Sequence, residues 1–595
     1  MPQRQFFRRS ISYGLLCAVM LFDPVAQADE TCGPPADGNK RLLWGDLHVH
    51  TAYSLDAYAF GALATPEDAY AFARGKALVL ASGEEARIDR PLDFAAVTDH
   101  AETFDAMWAC TDPMRSDDPW CRTLRTLRAE GKGRKIFTDY VLPIFAPVPP
   151  IPPKVCDSED CEAARIGQWQ RMQAAANAAN EPCAFTALIG YEWSGSPGGM
   201  HWHRNVIYRS DVVPDRAFDY LRYPQVGQLW QALASACRPE DGCDVLTIPH
   251  NINWAYGGTF DLTGEPPAIT GLRRRFERLA EIHQEKGNSE CLPEVPDSTS
   301  EDCGFEILTE NAARARYRDA ANGWEAMRRS YYRTLLGAGL ARKDNPLMLG
   351  ATGSTDTHFG TPGMVAEAGY FGGIAVALSP DADRLQRTQY NGGGLVAVWA
   401  GENTRAGVFD ALQRREAYAT SGPRIRLRFG ADPRLSADPH SSTDPRSSTG
   451  AEGVAGGGSG NFCADPEGTL HTPMGGLLTR PQAPGFAILA EKDRTPLGRI
   501  EIIKGSHGSS GPAEEVIRIA EFASGRDAVC LTWTDPDFDP EAPAYWYVRV
   551  LELPSPRWSK LLCEKLGRCE EHPEADVMIR ERAWSSPIWY RPAGG

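Results

Sequence analysis

Residues 42–50, Leu42-Leu43-Trp44-Gly45-Asp46-Leu47-His48-Val49-His50, pass from an apolar run straight into an aspartate and two histidines. Four other stretches repeat that grammar: Phe94 to Val97 leads to Asp99 and His100, Phe185 to Ile189 to Glu192, Val245 to Ile248 to His250, and Leu347 to Leu349 to Asp356 and His358. A short apolar run followed by polar function is how a buried parallel strand delivers side chains to the open end of an α/β barrel. Seven of the 12 histidines fall in these stretches or in His201-Trp202-His203, a clustering that core packing does not explain. Mixed imidazole and carboxylate donors suit zinc, manganese or iron, whereas an all-oxygen set points to magnesium or calcium. A water bridging two such ions is acidified toward a pKa of about 7 and becomes a hydroxide nucleophile at neutral pH. No Gly-x-Ser-x-Gly elbow accompanies these residues, and none is needed.

From Arg41 to about Ile425, apolar runs alternate with helix-like stretches, the pattern of an α/β barrel or doubly wound sheet. Thr65-Pro66-Glu67-Asp68 reads as a helix start with an N-cap, a proline at the first helical position and two acids in the first turn. Leu142 to Pro153 holds six prolines and is read as a surface strap or part of a lid rather than a helix or central strand. The expected division is a signal peptide over 1–28, a metal-hydrolase barrel with loop insertions over 29–425, a Gly/Ser/Asp-rich loop or linker over 426–465, and a β-sandwich-like module over 466–595.

Arg4, Arg8 and Arg9, the apolar Tyr13 to Phe22 and the small-residue Ala26-Gln27-Ala28 have the form of a cleavable export signal. The expected location is therefore the periplasm or the extracellular space, by the general or the twin-arginine route. Loss of that segment removes three positive charges and one negative, moving the formal charge from −16 to −18. Such an acidic chain repels nucleic-acid polymers and anionic membranes and favours a small-molecule substrate. No later apolar stretch reaches the roughly 18 residues of a membrane span. Of 15 cysteines, 14 remain after the signal, and the pairs Cys110/Cys121, Cys156/Cys161, Cys237/Cys243, Cys291/Cys303 and Cys563/Cys569 read as loop-closing disulfides. Cys32, Cys183, Cys463 and Cys530 are left unassigned, as is the oligomeric state.

Gly45-Asp-Leu-His-Val-His-Thr51 with Ser54 and Asp56, Val97-Thr-Asp-His-Ala-Glu102 and Gly353-Ser-Thr-Asp-Thr-His358 resemble the signature of the PHP (polymerase and histidinol phosphatase) metal-dependent hydrolases. Gly190-Tyr-Glu-Trp193, His203-Arg-Asn205, Ile248-Pro-His-Asn251, His283-Gln284, Lys286-Gly-Asn-Ser-Glu290 and Ala583-Trp-Ser-Ser-Pro-Ile-Trp-Tyr590 resemble, more closely, the exported DUF3604 branch. The resemblance implies a distorted (β/α)7 barrel holding two or three divalent ions. His48, His50, Glu192 and Asp356 are implied as ligands of the first, and Asp56, His100 and His358 of the second. Glu192 is implied to bridge to a third held with His203 and His250. Asp56 stands where many PHP enzymes carry a further histidine.

Asp46 and Asp99 precede histidines and are read as carboxylates that fix an imidazole's tautomer, with direct ligation the alternative. His201 is a general acid or an exposed loop histidine. Arg204 and Asn251 either grip a substrate oxygen or are structural, and His283 and Lys286 either reach the site or end a surface helix. His201, Arg204 and Asp99 are the candidate catalytic residues. The function expected is an exported metal-dependent hydrolase of a small ester, a phosphoester ahead of a carboxylic ester or carbamate, with a non-catalytic metal-binding protein as the third reading.

Overall fold

The computed structural model describes residues 32, 40–111, 118–151, 158–292, 303–308, 323–371, 373–374, 384–432, 435 and 470–593. The expected signal segment 1–28 and most of the expected linker 426–465 lie outside these residues. The strands of three residues or more are β1 (Arg41–Asp46), β2 (Phe94–Ala96), β3 (Thr186–Leu188), β4 (Gly190–Trp193), β5 (Arg204–Tyr208), β6 (Val245–Pro249), β7 (Leu279–Gln284), β8 (Gly350–Gly353), β9 (Leu395–Ala400), β10 (Ala417–Thr420), β11 (Arg426–Ala431), β12 (Gly485–Glu491), β13 (Leu497–Gly508), β14 (Gly511–Arg526), β15 (Ala528–Thr534), β16 (Ala544–Glu552), β17 (Arg582–Ser585) and β18 (Ile588–Tyr590).

Each of the five stretches that opened the sequence reading forms or adjoins a strand, because its apolar side chains are buried on both faces. β1 pairs in parallel with β2, and β2 with β3, as buried apolar runs do. Gly45 is required there: a Cβ would lie 2.1 Å from the Phe94 ring, which crosses β1 at that point. Leu43, Leu47, Phe94, Leu188, Ile207, Leu246, Leu279 and Val396 meet in one cluster, so strands of three different sheets share a core. Burying each such side chain is worth roughly 1.5–3 kcal/mol, which offsets the cost of the polar groups gathered at the strand ends.

The expectation of a (β/α)7 barrel is corrected in one respect: among the described residues the hydrogen-bonded ladder does not close. The fold is mixed α/β with several sheets. β4, β5 and β6 form their own antiparallel sheet, and β7 and β8 pair in parallel in another. Isolated parallel bridges, Val49 to Thr357 and His100 to Glu192, link these sheets at the site itself. β9 runs antiparallel to β1, and β10, β17, β16 and β18 continue the same eleven-stranded sheet, so strands near the C-terminus join the sheet that begins at Arg41. A four-stranded sheet containing β11, β12 and β15 faces it, and Phe486 sits 5.2 Å from Trp546, 5.4 Å from Phe429 and 5.8 Å from Trp533 across and along the interface. That is sandwich-like packing.

The helix Pro66–Ala73 begins with the expected cap, the Thr65 hydroxyl and the Asp68 carboxylate completing a capping box. The proline-rich strap differs from the expectation. Leu142–Phe145 is a short helix, which Pro143 tolerates by lying in its first turn, and one π-helical turn, Phe137–Val141, leads into it. Disulfides join Cys110–Cys121, Cys237–Cys243, Cys291–Cys303 and Cys563–Cys569 as expected, and Cys32–Cys183 in addition. Cys161 and Cys530 are also disulfide-bonded. Among the described residues no helix is long and apolar enough to cross a membrane.

Candidate metal centre

The strand ends converge on one buried point. His48 Nε2 and His50 Nε2 lie 3.1 Å apart, each is 3.2 Å from Glu192 Oε2, and they are 3.2 and 3.3 Å from Asp356 Oδ1. Four donors around a tetrahedral ion at about 2.0–2.1 Å would be about 3.3–3.4 Å from one another, so these separations fit such an ion. Two imidazole nitrogens and two carboxylate oxygens turned to one point form the arrangement that a shared ion draws together.

Glu192 is shared. Its Oε1 lies 2.7 Å from His203 Nδ1, 3.3 Å from His250 Nε2 and 3.4 Å from His100 Nδ1. Asp56 Oδ2 lies 3.1 Å from His100 Nε2 and 3.2 Å from His358 Nε2. The groups able to hold a metal therefore include His48/His50/Glu192, Glu192/His203/His250 and His50/His100/His358. Buried atoms without a hydrogen-bond partner, His250 Nδ1 and Nε2, Glu192 Oε1 and Asp356 Oδ1, are among them. Donor atoms left without a hydrogen-bond partner at 0–1% exposure are what ligands of an ion look like, since buried polar atoms are otherwise paired. All nine residues assigned as metal donors from sequence thus lie together.

Carboxylates and hydroxyls fix the rings. His48 Nδ1 lies 3.2 and 3.1 Å from the two Glu281 oxygens, His50 Nδ1 2.9 Å from Ser54 Oγ, His100 Nδ1 2.5 Å from Ser194 Oγ and His203 Nε2 2.7 Å from Ser196 Oγ. Asp99 touches no metal-donor atom. It accepts from Thr51 N, Thr51 Oγ1 and Ser54 Oγ at 2.7 Å each, and so orients His50 through Ser54. Asp46 accepts from Thr355 Oγ1 at 2.6 Å and Gly363 N at 2.9 Å, anchoring the loop that carries Asp356 and His358. Asp356 itself sits in the left-handed region at φ 55°, as does Asn251 at φ 50°, conformations that Asn and Asp adopt more readily than most residues and that recur at functional sites.

Arg204 is corrected. His203, immediately before β5, points to the centre, and Arg204, its first residue, points the other way, where it donates to Glu277 at 2.7 Å, to the Thr259 carbonyl at 3.2 Å and to the Trp202 carbonyl. It is structural. His201 stacks on His203 with ring centroids 4.4 Å apart and meets Trp254 at 4.6 Å, beside the donors. His283 turns away to Phe305 and Trp584, whereas Lys286 reaches the centre and its ammonium pairs with Asp356 Oδ2, which Gln284 Nε2 also contacts at 2.7 Å. Glu281 and Glu285, the latter 3.5 Å from His358 Nδ1 and grouped with it and Asp356, are not marked by any sequence motif.

Electrostatics divide the centre. Burial holds the His48 imidazole well below its ordinary pKa and His203 at about 4, so both are neutral, the ligating form. At His100 and His358 burial acts the same way but is outweighed by Asp56, which raises both, His358 to about 9. Burial raises Asp46 to about 6 and Glu281 well above the carboxylate range.

The chain matches the model of the family described as "Protein of unknown function (DUF3604)" over residues 37–524 and 518–592, and it belongs to that family. Comparison with curated proteins and with solved structures finds no match.

Proposed function

We propose that this protein is an exported metal-dependent hydrolase of a small ester, with a phosphoester the first choice, related in its ligand set to the PHP enzymes. The observation that carries the reading is the four-donor group His48, His50, Glu192 and Asp356, joined through Glu192 to a second group with His203 and His250 and lying beside a third at Asp56, His100 and His358. Zinc, manganese or iron held there would supply an acidified water and Lewis-acid polarisation of the bond to be cleaved.

The chain's own residues do the rest. Glu281, Ser54 with Asp99, Ser194 and Ser196 hold the imidazoles in position, and the apolar strand segments exclude bulk water from below. The residual exposure is uneven: Asp56 12%, His203 9%, Lys286 9% and His100 8%, against 0–2% for His48, His50, Glu192, His250, Asp356 and His358. This less buried side is the one by which a substrate would approach, an access that a storage or purely structural site does not require. His201 stands beside these residues; burial and the neighbouring His203 hold its imidazole well below the ordinary pKa, so it is neutral and suited to accept a hydrogen bond or a proton there. The disulfides support an oxidising compartment. A panel of chromogenic phosphate mono-, di- and triesters, carboxyl esters and carbamates, run with metal analysis, tests the reading. Chelator-sensitive cleavage of a phosphoester is expected, cleavage confined to carboxyl esters or carbamates would move the class, and metal binding without turnover of any would overturn it.

A further inference from the structure

The open side of the centre is bounded by rings. Phe145 lies 5.8 Å from the His100 imidazole and Phe60 5.9 Å from His358, measured between ring centroids. Phe137 stacks on Phe60 at 5.5 Å. On another side Trp254 meets His201 edge-on at 4.6 Å. Phe137 and Phe145 come from the segment with the π-helical turn, and π turns persist mainly where they place a functional side chain. The Ala146 carbonyl, directly after Phe145, accepts from Gly198 N at 3.1 Å, tying this segment to the loop that leads to His201. Lys286, paired with Asp356, is a cation at the partly exposed edge of the centre.

We infer that Phe137 and Phe145, on the side of the centre marked by His100 and Phe60, form a subsite for an apolar, ring-sized group, so that the substrate is a small anionic ester of an aromatic or bulky apolar alcohol. Rings of this kind bind a flat apolar body through area and quadrupole, and pockets combine such walls with few polar anchors. A sugar or polyol ester would instead need hydroxyl partners on this wall, where phenyl rings stand. This rests on the metal-hydrolase reading, and the two are separable by experiment.

The test is calorimetric titration of the zinc-loaded, full-length protein with phenylphosphonate and with methylphosphonate, with bound metal quantified in the same samples. Wild type is expected to hold metal and to bind phenylphosphonate at least ten-fold tighter than methylphosphonate. Phe145→Leu and Phe137→Ala are expected to shrink that ratio to under three-fold with unchanged metal content and little change for methylphosphonate. Equal affinities of the two probes in metal-loaded wild type would overturn the ring subsite while leaving the metal reading intact. Absence of bound metal would overturn the metal reading itself, and the subsite with it. The wild-type ratio decides the matter even if a variant fails to fold.

Discussion

Glu290→Gln is expected to be among the most damaging single changes outside the metal centre. Its carboxylate is fully buried and accepts from Arg333 Nη2 at 2.9 Å, Arg549 Nη1 at 3.0 and 3.1 Å, Tyr547 OH at 2.7 Å and Trp584 Nε1 at 2.7 Å. It therefore ties the loop after β7 to the helix Tyr332–Leu340 and to β16 and β17. An amide of the same size removes the charge facing two arginines and turns an N–H₂ toward donors. Arg549 keeps Glu501 at 2.6 Å, and Arg333 keeps the Tyr547 hydroxyl at 3.0 Å and Glu514 at 3.4 Å, the latter a carboxylate that is 41% exposed, but neither set replaces the buried charge of Glu290. Removing one partner of a buried pair costs about 3–5 kcal/mol, whereas Glu514→Gln should cost under about 1 kcal/mol because solvent screens that pair. Although burial acts to raise it, the Arg549 and Arg333 guanidiniums hold the Glu290 carboxyl below the usual range. Its contribution is therefore complete above the ordinary carboxylate pKa and is lost as pH falls toward the folded value. Urea unfolding at pH 7 and at pH 4, followed by tryptophan fluorescence, measures both. A Glu290→Gln protein within about 1 kcal/mol of wild type at pH 7 would refute the reasoning.

Four other outcomes are expected. Glu281→Leu should weaken metal binding by about 10–100-fold by freeing the His48 ring, read by chelator competition, with far-ultraviolet circular dichroism unchanged. Metal uptake at the Asp56 group must displace protons from His100 and His358, whose pKa values Asp56 raises against burial, so affinity there should climb with pH through about 9, while an Asp56→Asn variant should show a flatter profile in proton-release calorimetry. Glu552 is raised by burial to about 8, so folded protein binds the extra proton and this residue's contribution falls as pH rises from the ordinary carboxylate range to about 8; Glu552→Gln should flatten that slope in thermal melts. Cys32→Ser with Cys183→Ser opens a loop with a sequence separation of 151, worth about 5 kcal/mol on chain entropy, against about 2 kcal/mol for the Cys237–Cys243 separation of 6, and urea midpoints should rank the two accordingly.

The buried cluster that could hold metal was legible because histidine or carboxylate at the end of an apolar run is a local signal, repeated at His48, His100, Glu192, His250 and Asp356-His358. Glu281 was not, because it lies inside the run Leu279–Gln284 and carries no motif of its own; only the register of β7 against β8 shows that it faces His48. Arg204 misled because His203-Arg204-Asn205 names the residues without naming their faces, and alternation at the start of β5 decides which side each serves. Closure of the barrel was not legible either: parallel and antiparallel neighbours have the same apolar pattern when both faces are buried. The Cys32–Cys183 bridge spans a distance in sequence over which spacing carries no information.

The most direct test is the number of divalent ions held by the purified protein and by Glu192→Gln after loading with zinc or manganese and removal of free ion. Because Glu192 gives one oxygen to the His48/His50 group and the other to the His203/His250 group, two or three ions per chain are expected in wild type and at least two fewer tightly held ions in the variant. Fewer than one ion per chain in folded wild type, or an unchanged count in Glu192→Gln, would contradict the assignment.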